Sequence, residues 1–104
     1  MELLPPTVRA KIPPLYATEN EEDPTVWVKF FDPFSQWTWY VIEFDGHDLC
    51  YGYVIGNVSE LGYFRLVDLA HLRPPEADRF HASVGIERDE QFEPCPLSLV
   101  YPFH

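Results

Sequence analysis

The sequence predicts an α+β fold: a small, twisted antiparallel sheet of four or five strands with one N-terminal helix packed on it. Segments of alternating apolar and aromatic residues follow one another between residues 25 and 67. Short turn sequences separate them, and such turns favour pairing between consecutive strands. We therefore expect a meander, either open or barrel-like. A length of 104 residues predicts a single domain over 1–104.

The N-terminal helix is predicted over 8–12. Val8, Ile12 and Leu15 are spaced to place one side of this segment on a core. Two prolines at positions 13 and 14 end it. An acidic segment with a proline at position 24 follows, which predicts an exposed loop.

The first strand is predicted over 25–31, with Val26, Val28 and Phe30 on one face. Residues 32–35 read Asp-Pro-Phe-Ser, a sequence typical of a type I turn.

The second strand is predicted over 36–44. It is apolar on both faces, which is typical of a central strand covered on both sides. Strict alternation places Glu43 on the same face as Trp39 and Val41.

The third strand is predicted over 48–55, after an Asp-Gly hairpin signal at 45–46. Gly52 and Gly56 share one of its faces, which predicts a bulge or the close approach of another element, such as the N-terminal helix.

The fourth strand is predicted over 60–67, and Asp68 is expected to cap a helical turn over 69–72. A loop or short helical turn is predicted over 76–83, and a short extended segment starts at 84. The apolar tail from 95 onwards is expected to dock against the sheet.

Composition and charge limit the possible functions. Hydrophobic residues make up 46% of the chain, too many for a disordered protein. No apolar run is long enough to span a membrane, and the N-terminus lacks the pattern of a secretory signal, so we expect a cytoplasmic protein. Seventeen acidic residues face seven basic ones, giving a net charge of −10. This balance disfavours direct nucleic-acid binding and favours a protein partner with a basic surface.

The leading hypothesis is a non-enzymatic protein that binds such a partner through its acids. No Lys or Arg lies between Lys29 and Arg65, whereas several acids do, which suggests a mimic of DNA that inhibits a DNA-binding enzyme. The acids predicted to bind the partner are Glu19, Glu21, Glu22, Asp23, Asp45, Asp48, Glu60, Glu87 and Asp89. The sequence leaves the partner's identity and the oligomeric state open.

A second hypothesis is a nucleic-acid-binding module. Aromatic side chains on strands can stack on bases when basic residues lie among them. The residues predicted for this role are Lys29, Trp37, Trp39, Arg65 and Arg88.

A third hypothesis is a small metal-dependent enzyme using Glu87 and Asp89, which alternate onto one face of an extended segment. The chain contains neither a hydrolase elbow nor a phosphate-binding loop, so we expect no cofactor. His47 and Cys50 form a pair at ligand spacing without a second pair, so no zinc site is predicted. Cys50 and Cys95 are both expected to be free thiols.

Four stretches of the chain carry a family resemblance, namely RAKIPPLYATE (9–19), KFFDPFSQWTWYVIEFDG (29–46), ELGYFRLVDL (60–69) and IERDEQFEP (86–94). They resemble the uncharacterised bacterial domain-of-unknown-function family 2958, with which their order and spacing agree over most of the chain. Members of that family are encoded largely on plasmids, integrative conjugative elements and genomic islands. The resemblance therefore implies an accessory protein of a mobile genetic element. It implies no reaction and no active-site residues.

Overall fold

The fold is organised around a five-stranded antiparallel sheet, and the computed structural model describes residues 3–71 and 85–101. The elements are α1 Pro6–Arg9, β1 Thr25–Val26, β2 Val28–Phe31, β3 Thr38–Phe44, β4 Leu49–Ile55, β5 Ser59–Arg65, α2 Leu66–Ala70, β6 Glu87–Arg88, β7 Cys95–Pro96 and a 3-10 turn Leu97–Leu99. The loop predicted over 76–83 lies outside the described residues.

The strand order of the sheet is β5-β4-β3-β2-β6, and all of its pairings are antiparallel. Strands β2 to β5 form the predicted meander, because consecutive strands pair through short turns. Within the described residues β5 and β6 are edge strands that do not pair with each other, so the sheet is open and the barrel-like alternative is wrong. The docking of α1 on the sheet stays a prediction.

The first predicted strand is in fact two strands in two sheets. The strand is interrupted at Trp27, whose backbone N–H donates to the carbonyl of Val41 at 2.8 Å. Val26 then pairs with Cys95 of β7, while Val28 pairs with Val41 of β3. The prediction that Val26 shares a face with Val28 is wrong, because the break turns it into the core on the other side of the sheet.

Both faces of the sheet are covered, as the double apolar pattern of β3 predicts. One core contains side chains from the sheet and from the N-terminal segment, including Leu4, Ile12, Phe30, Trp39, Val41, Phe44 and Cys50. The other contains Val26, Tyr40, Ile42, Tyr53 and Leu97. Leu97 belongs to the tail, and its N–H donates to the carbonyl of Pro24 at 2.9 Å, so the tail docks as predicted over 95–101.

A β-bulge in β3 decides where the site lies. Val41 pairs with Gly52, but Glu43 pairs with Tyr51, so Ile42 is an extra residue. The bulge shifts the alternation, and Phe44 joins the same core as Val41. Glu43 therefore lies on the opposite face from Val41, and the predicted face of Glu43 is wrong.

Gly52 of β4 and Gly56, which directly follows β4, both have close neighbours, although neither neighbour is the N-terminal helix. A Cβ on Gly52 would clash with the backbone carbonyl of Tyr40, on the adjacent strand beside the bulge. A Cβ on Gly56 would clash with the ring of Trp37.

Helix α2 begins at Leu66, three residues before the predicted turn. Asp68 lies in its first turn and is not its cap. Asp48 instead accepts the hydrogen bonds of the first backbone N–H groups of α2. Its carbonyl accepts the N–H of Leu66 and its carboxylate accepts that of Val67, both at 2.9 Å. Asp48 lies in the turn before β4, 19 residues before Val67, so it leaves no local signal, which explains the error.

Candidate functional site

Glu43, on the central strand, is a buried carboxylate with only 2% of its surface exposed. Its Oε1 accepts the N–H of Tyr16 at 2.8 Å. Its Oε2 accepts the N–H of Thr18 at 2.9 Å and also the Thr18 hydroxyl. A buried charge is tolerated when it is hydrogen-bonded in this way. These bonds anchor the segment that leads into the acidic loop, residues 19–23, to the middle of the sheet.

Tyr16 has a left-handed backbone, with φ of 71°. A residue other than glycine is disfavoured in this backbone conformation, at a cost of about 1–3 kcal/mol. The hydrogen bond from its N–H to Glu43 helps to offset that cost. Tyr16 lies at the surface, with 62% of the residue exposed.

A cavity of about 420 Å³ lies between the acidic loop and the sheet, and we call it the Glu43 pocket. Its walls include Tyr16, Tyr51 and Tyr63, and Glu43 contributes to its lining. Three glutamates of the acidic loop also line it, Glu19, Glu21 and Glu22, whereas none of its described lining residues is Lys or Arg. The pocket is therefore both aromatic and strongly acidic.

The tyrosines of the Glu43 pocket form a connected group. The rings of Tyr51 and Tyr63 lie 5.0 Å apart between centroids and are tilted by 54°. Loss of hydration raises the pKa of Tyr63, and the neighbouring Tyr16 raises it further, in part through a side-chain hydrogen bond. The negative charge of Glu43 acts in the same direction. Tyr63 therefore keeps its proton and presents a neutral aromatic face, with 52% of the residue exposed.

The acids predicted to bind a partner lie in several places. Glu19, Glu21 and Glu22 line the Glu43 pocket. Asp23, the last residue of the acidic loop, accepts the N–H and the hydroxyl of Ser98 at 2.8 and 2.7 Å. Asp23 thus links the acidic loop to the tail.

Two further acids of that set stabilise the chain locally. Asp45 accepts three backbone N–H groups in its turn, and those of Asp48 and His47 are the main causes that lower its pKa. The carboxylate of Asp48 accepts the N–H of Val67 at the start of α2, and its Oδ2 lies 3.5 Å from Nη1 of Arg65.

The remaining three acids lie on the edge strands or directly after one. Glu60 is exposed on β5, Glu87 is on β6, and Asp89 follows β6 at 3.8 Å from Lys29. Edges β5 and β6 are at opposite sides of the sheet, so the structure does not bring all nine acids together.

The residues predicted to bind nucleic acid are also dispersed. Lys29 and Arg88 lie on adjacent strands, but Arg65 is on the opposite edge. Each of these basic side chains has an acidic one within 4 Å. The pairs are Lys29 with Asp89, Arg88 with Glu90 and Arg65 with Asp48.

The two tryptophans of that set belong to the framework. Trp39 is buried, and Trp37, 38% exposed, stacks on it with a centroid distance of 5.8 Å. The same Trp37 ring packs against Gly56.

Glu87 and Asp89 are not part of any metal-binding cluster in the described ranges, where no group of three or more His, Cys, Asp or Glu side chains could hold an ion. Cys50 and Cys95 are free thiols. Burial raises the pKa of Cys50 to about 12, with smaller contributions from Asp45 and Asp48. A thiol of this kind is a poor nucleophile at neutral pH.

Sequence reasoning missed the residue at the centre of this site, Glu43, and its partners Tyr16 and Thr18. One signal was available, because a charged residue within a strand that is apolar on both faces requires buried hydrogen-bond partners. The identity of those partners had no sequence signal, since they precede Glu43 by 27 and 25 residues.

A family model described as "Protein of unknown function (DUF2958)" matches residues 3–101. The search of curated proteins found no match, and neither did the search of solved structures. Within the described ranges, the helices are too short or too polar to cross a membrane.

Proposed function

We propose that this chain, which belongs to the DUF2958 family, is a non-enzymatic binding module for a protein partner with a basic surface. The observation that supports the proposal is the Glu43 pocket, where an anchored acidic loop and exposed tyrosines line one cavity. Anchoring matters because a loop that is already ordered loses less entropy on binding.

The chemistry of the pocket supports binding rather than catalysis. Its carboxylates lie beside tyrosines, a combination that attracts cations and offers large apolar contact areas. The net charge of −10 adds a long-range attraction for a basic partner.

A pull-down with reversed charges tests the proposal. The double variant Glu21→Lys/Glu22→Lys changes two acids of the pocket. The matched control, Glu90→Lys/Glu93→Lys, makes the same charge change at two exposed acids between β6 and β7 that do not line it. We expect the unmodified protein and the control to retain a basic protein from bacterial lysate at low salt, and the pocket variant to lose it. High salt should release the partner, since exposed charges are then screened.

Capture that is equally strong in high salt and in the Glu21→Lys/Glu22→Lys variant would contradict the proposal. A DNA mimic is its narrower form, and competition tests it: duplex DNA added to the captured complex should displace the chain if it covers the partner's DNA-binding surface. The family resemblance further suggests that the chain acts as an accessory protein of a mobile genetic element. The genes that neighbour its own would test this suggestion.

A further inference from the structure

We infer that the Glu43 pocket binds an arginine side chain of the partner, an inference that rests on the proposed function and specifies its contact. The relevant features are a cavity of suitable size, aromatic walls, and carboxylates that are not neutralised by basic residues of the lining.

The size and the walls suit a flat cation. A volume of about 420 Å³ exceeds what water alone requires and falls at the small end of ligand pockets, which span roughly 300–1,000 Å³. Tyr16 and Tyr63 are both more than half exposed, so a cation can reach their rings. A guanidinium group over the face of a tyrosine gains a cation–π attraction.

The charges of the pocket are directed at the same kind of ligand. Glu19, Glu21 and Glu22 all line the cavity, and each carries a carboxylate. Glu43 accepts two hydrogen bonds at Oε2 but only one at Oε1. A carboxylate has about four acceptor positions, so Oε1 retains capacity for a further donor.

Arginine fits these features better than lysine does. Its guanidinium is planar and stacks on aromatic rings. It is also weakly hydrated, so it gives up less hydration free energy on entering a partly apolar cavity. It also presents several donors in a fixed fork that matches carboxylates. A lysine ammonium is a strongly hydrated point charge and makes no stacking contact.

An NMR titration of the isotope-labelled 104-residue chain tests the assignment directly. The probes are the N-acetyl, C-methylamide derivatives of arginine, lysine and citrulline, the last being the neutral analogue of arginine in shape. We expect the arginine probe to shift the amide signals of Thr18, Leu61 and Tyr63 with increasing concentration. The lysine probe should bind more weakly, and the citrulline probe should cause no such shifts.

Two variants show whether the tyrosine wall takes part. Tyr63→Ala should weaken binding of the arginine probe about fivefold, the equivalent of one exposed cation–π contact. Phe34→Ala removes an exposed aromatic ring from the turn after β2, outside the pocket lining, and should leave binding unchanged.

Equal binding of arginine and citrulline, lysine binding at least as tight as arginine binding, or no shifts with arginine would overturn the inference. These results are separate from those of the pull-down. Partner capture through Glu21 and Glu22 without arginine binding overturns the inference alone. Arginine binding without any partner capture overturns the proposed function and, with it, the assignment of the arginine to a protein partner.

Discussion

At the scale of single residues, the buried carboxylate of Glu43 positions a loop on the surface. Taking a carboxylate out of water costs several kcal/mol unless it is well hydrogen-bonded. Here the donors come from Tyr16 and Thr18, in the segment before the acidic loop, so the bonds that satisfy the charge also position that loop. An apolar residue at position 43 would leave two backbone N–H groups without acceptors.

At this scale, a hydrogen bond could be predicted from the sequence when its donor and acceptor are close together along the chain. The turn at 32–35 could be predicted, because Asp32 accepts the N–H of Phe34 two residues later and the Ser35 hydroxyl three residues later. The acidic loop could be predicted from its composition. The role of Glu43 could not, since its partners lie 25 to 27 residues away and the bulge reverses its face.

The two thiols allow a prediction from burial and pKa. Cys50 is fully buried with a pKa raised to about 12, whereas Cys95 is half-buried and its pKa is raised to a smaller extent, mainly by desolvation. Because the thiolate is the reactive form, iodoacetamide at about pH 8 should label Cys95 slowly and Cys50 hardly at all. Mass spectrometry measures the labelling.

The Cys95→Ser variant is the control: the native variant should remain unlabelled, and its denatured form should take one label. Equal labelling rates of Cys50 and Cys95 in the native protein would contradict the burial of Cys50.

At the scale of elements, the strands of the meander could be predicted because alternation and turn residues are local signals. The bounds of β4 and β5 differ from the predicted ones by one or two residues. The break at Trp27 could not be predicted, since residues 25–31 read as one continuous strand. Its cause is the pairing of β1 with β7, about 70 residues later, which pulls the first two residues out of the main sheet.

The bulged pairing of β3 and β4 gives a second prediction. Gly52 faces the Tyr40 carbonyl so closely that Gly52→Ala has no space, and overpacking of this kind typically costs about 1–3 kcal/mol. We expect Gly52→Ala to lower the free energy of unfolding by about 2 kcal/mol or more. Urea unfolding followed by tryptophan fluorescence measures the change.

The matched control is Gly62→Ala, because Gly62 is the cross-strand partner of Gly52 on β5 and has open space at its Cβ position. This substitution should change stability little or raise it slightly. Equal effects of the two substitutions would contradict the close approach at the bulge.

At the scale of the whole molecule, the acids behind the net charge of −10 include two groups with different roles. Asp23, Asp45 and Asp48 accept hydrogen bonds that stabilise the loops and the start of α2. The glutamates of the acidic loop line the Glu43 pocket instead. Composition predicted a basic partner but could not show this division, which depends on what each carboxylate contacts.

The buried carboxylate of Glu43 on β3 anchors the acidic loop as a wall of the Glu43 pocket, and amide hydrogen exchange of Tyr16 and Thr18 tests this anchoring most directly. In the unmodified protein both amides should be protected. In Glu43→Gln the exchange of at least one of them should accelerate about tenfold or more. The glutamine side chain has a single acceptor oxygen for two N–H groups, and a hydrogen bond to a charged group contributes roughly 1.5–3 kcal/mol. The exposed control Glu60→Gln should leave both rates unchanged. Unprotected amides in the unmodified protein, or equal protection in Glu43→Gln, would contradict the account.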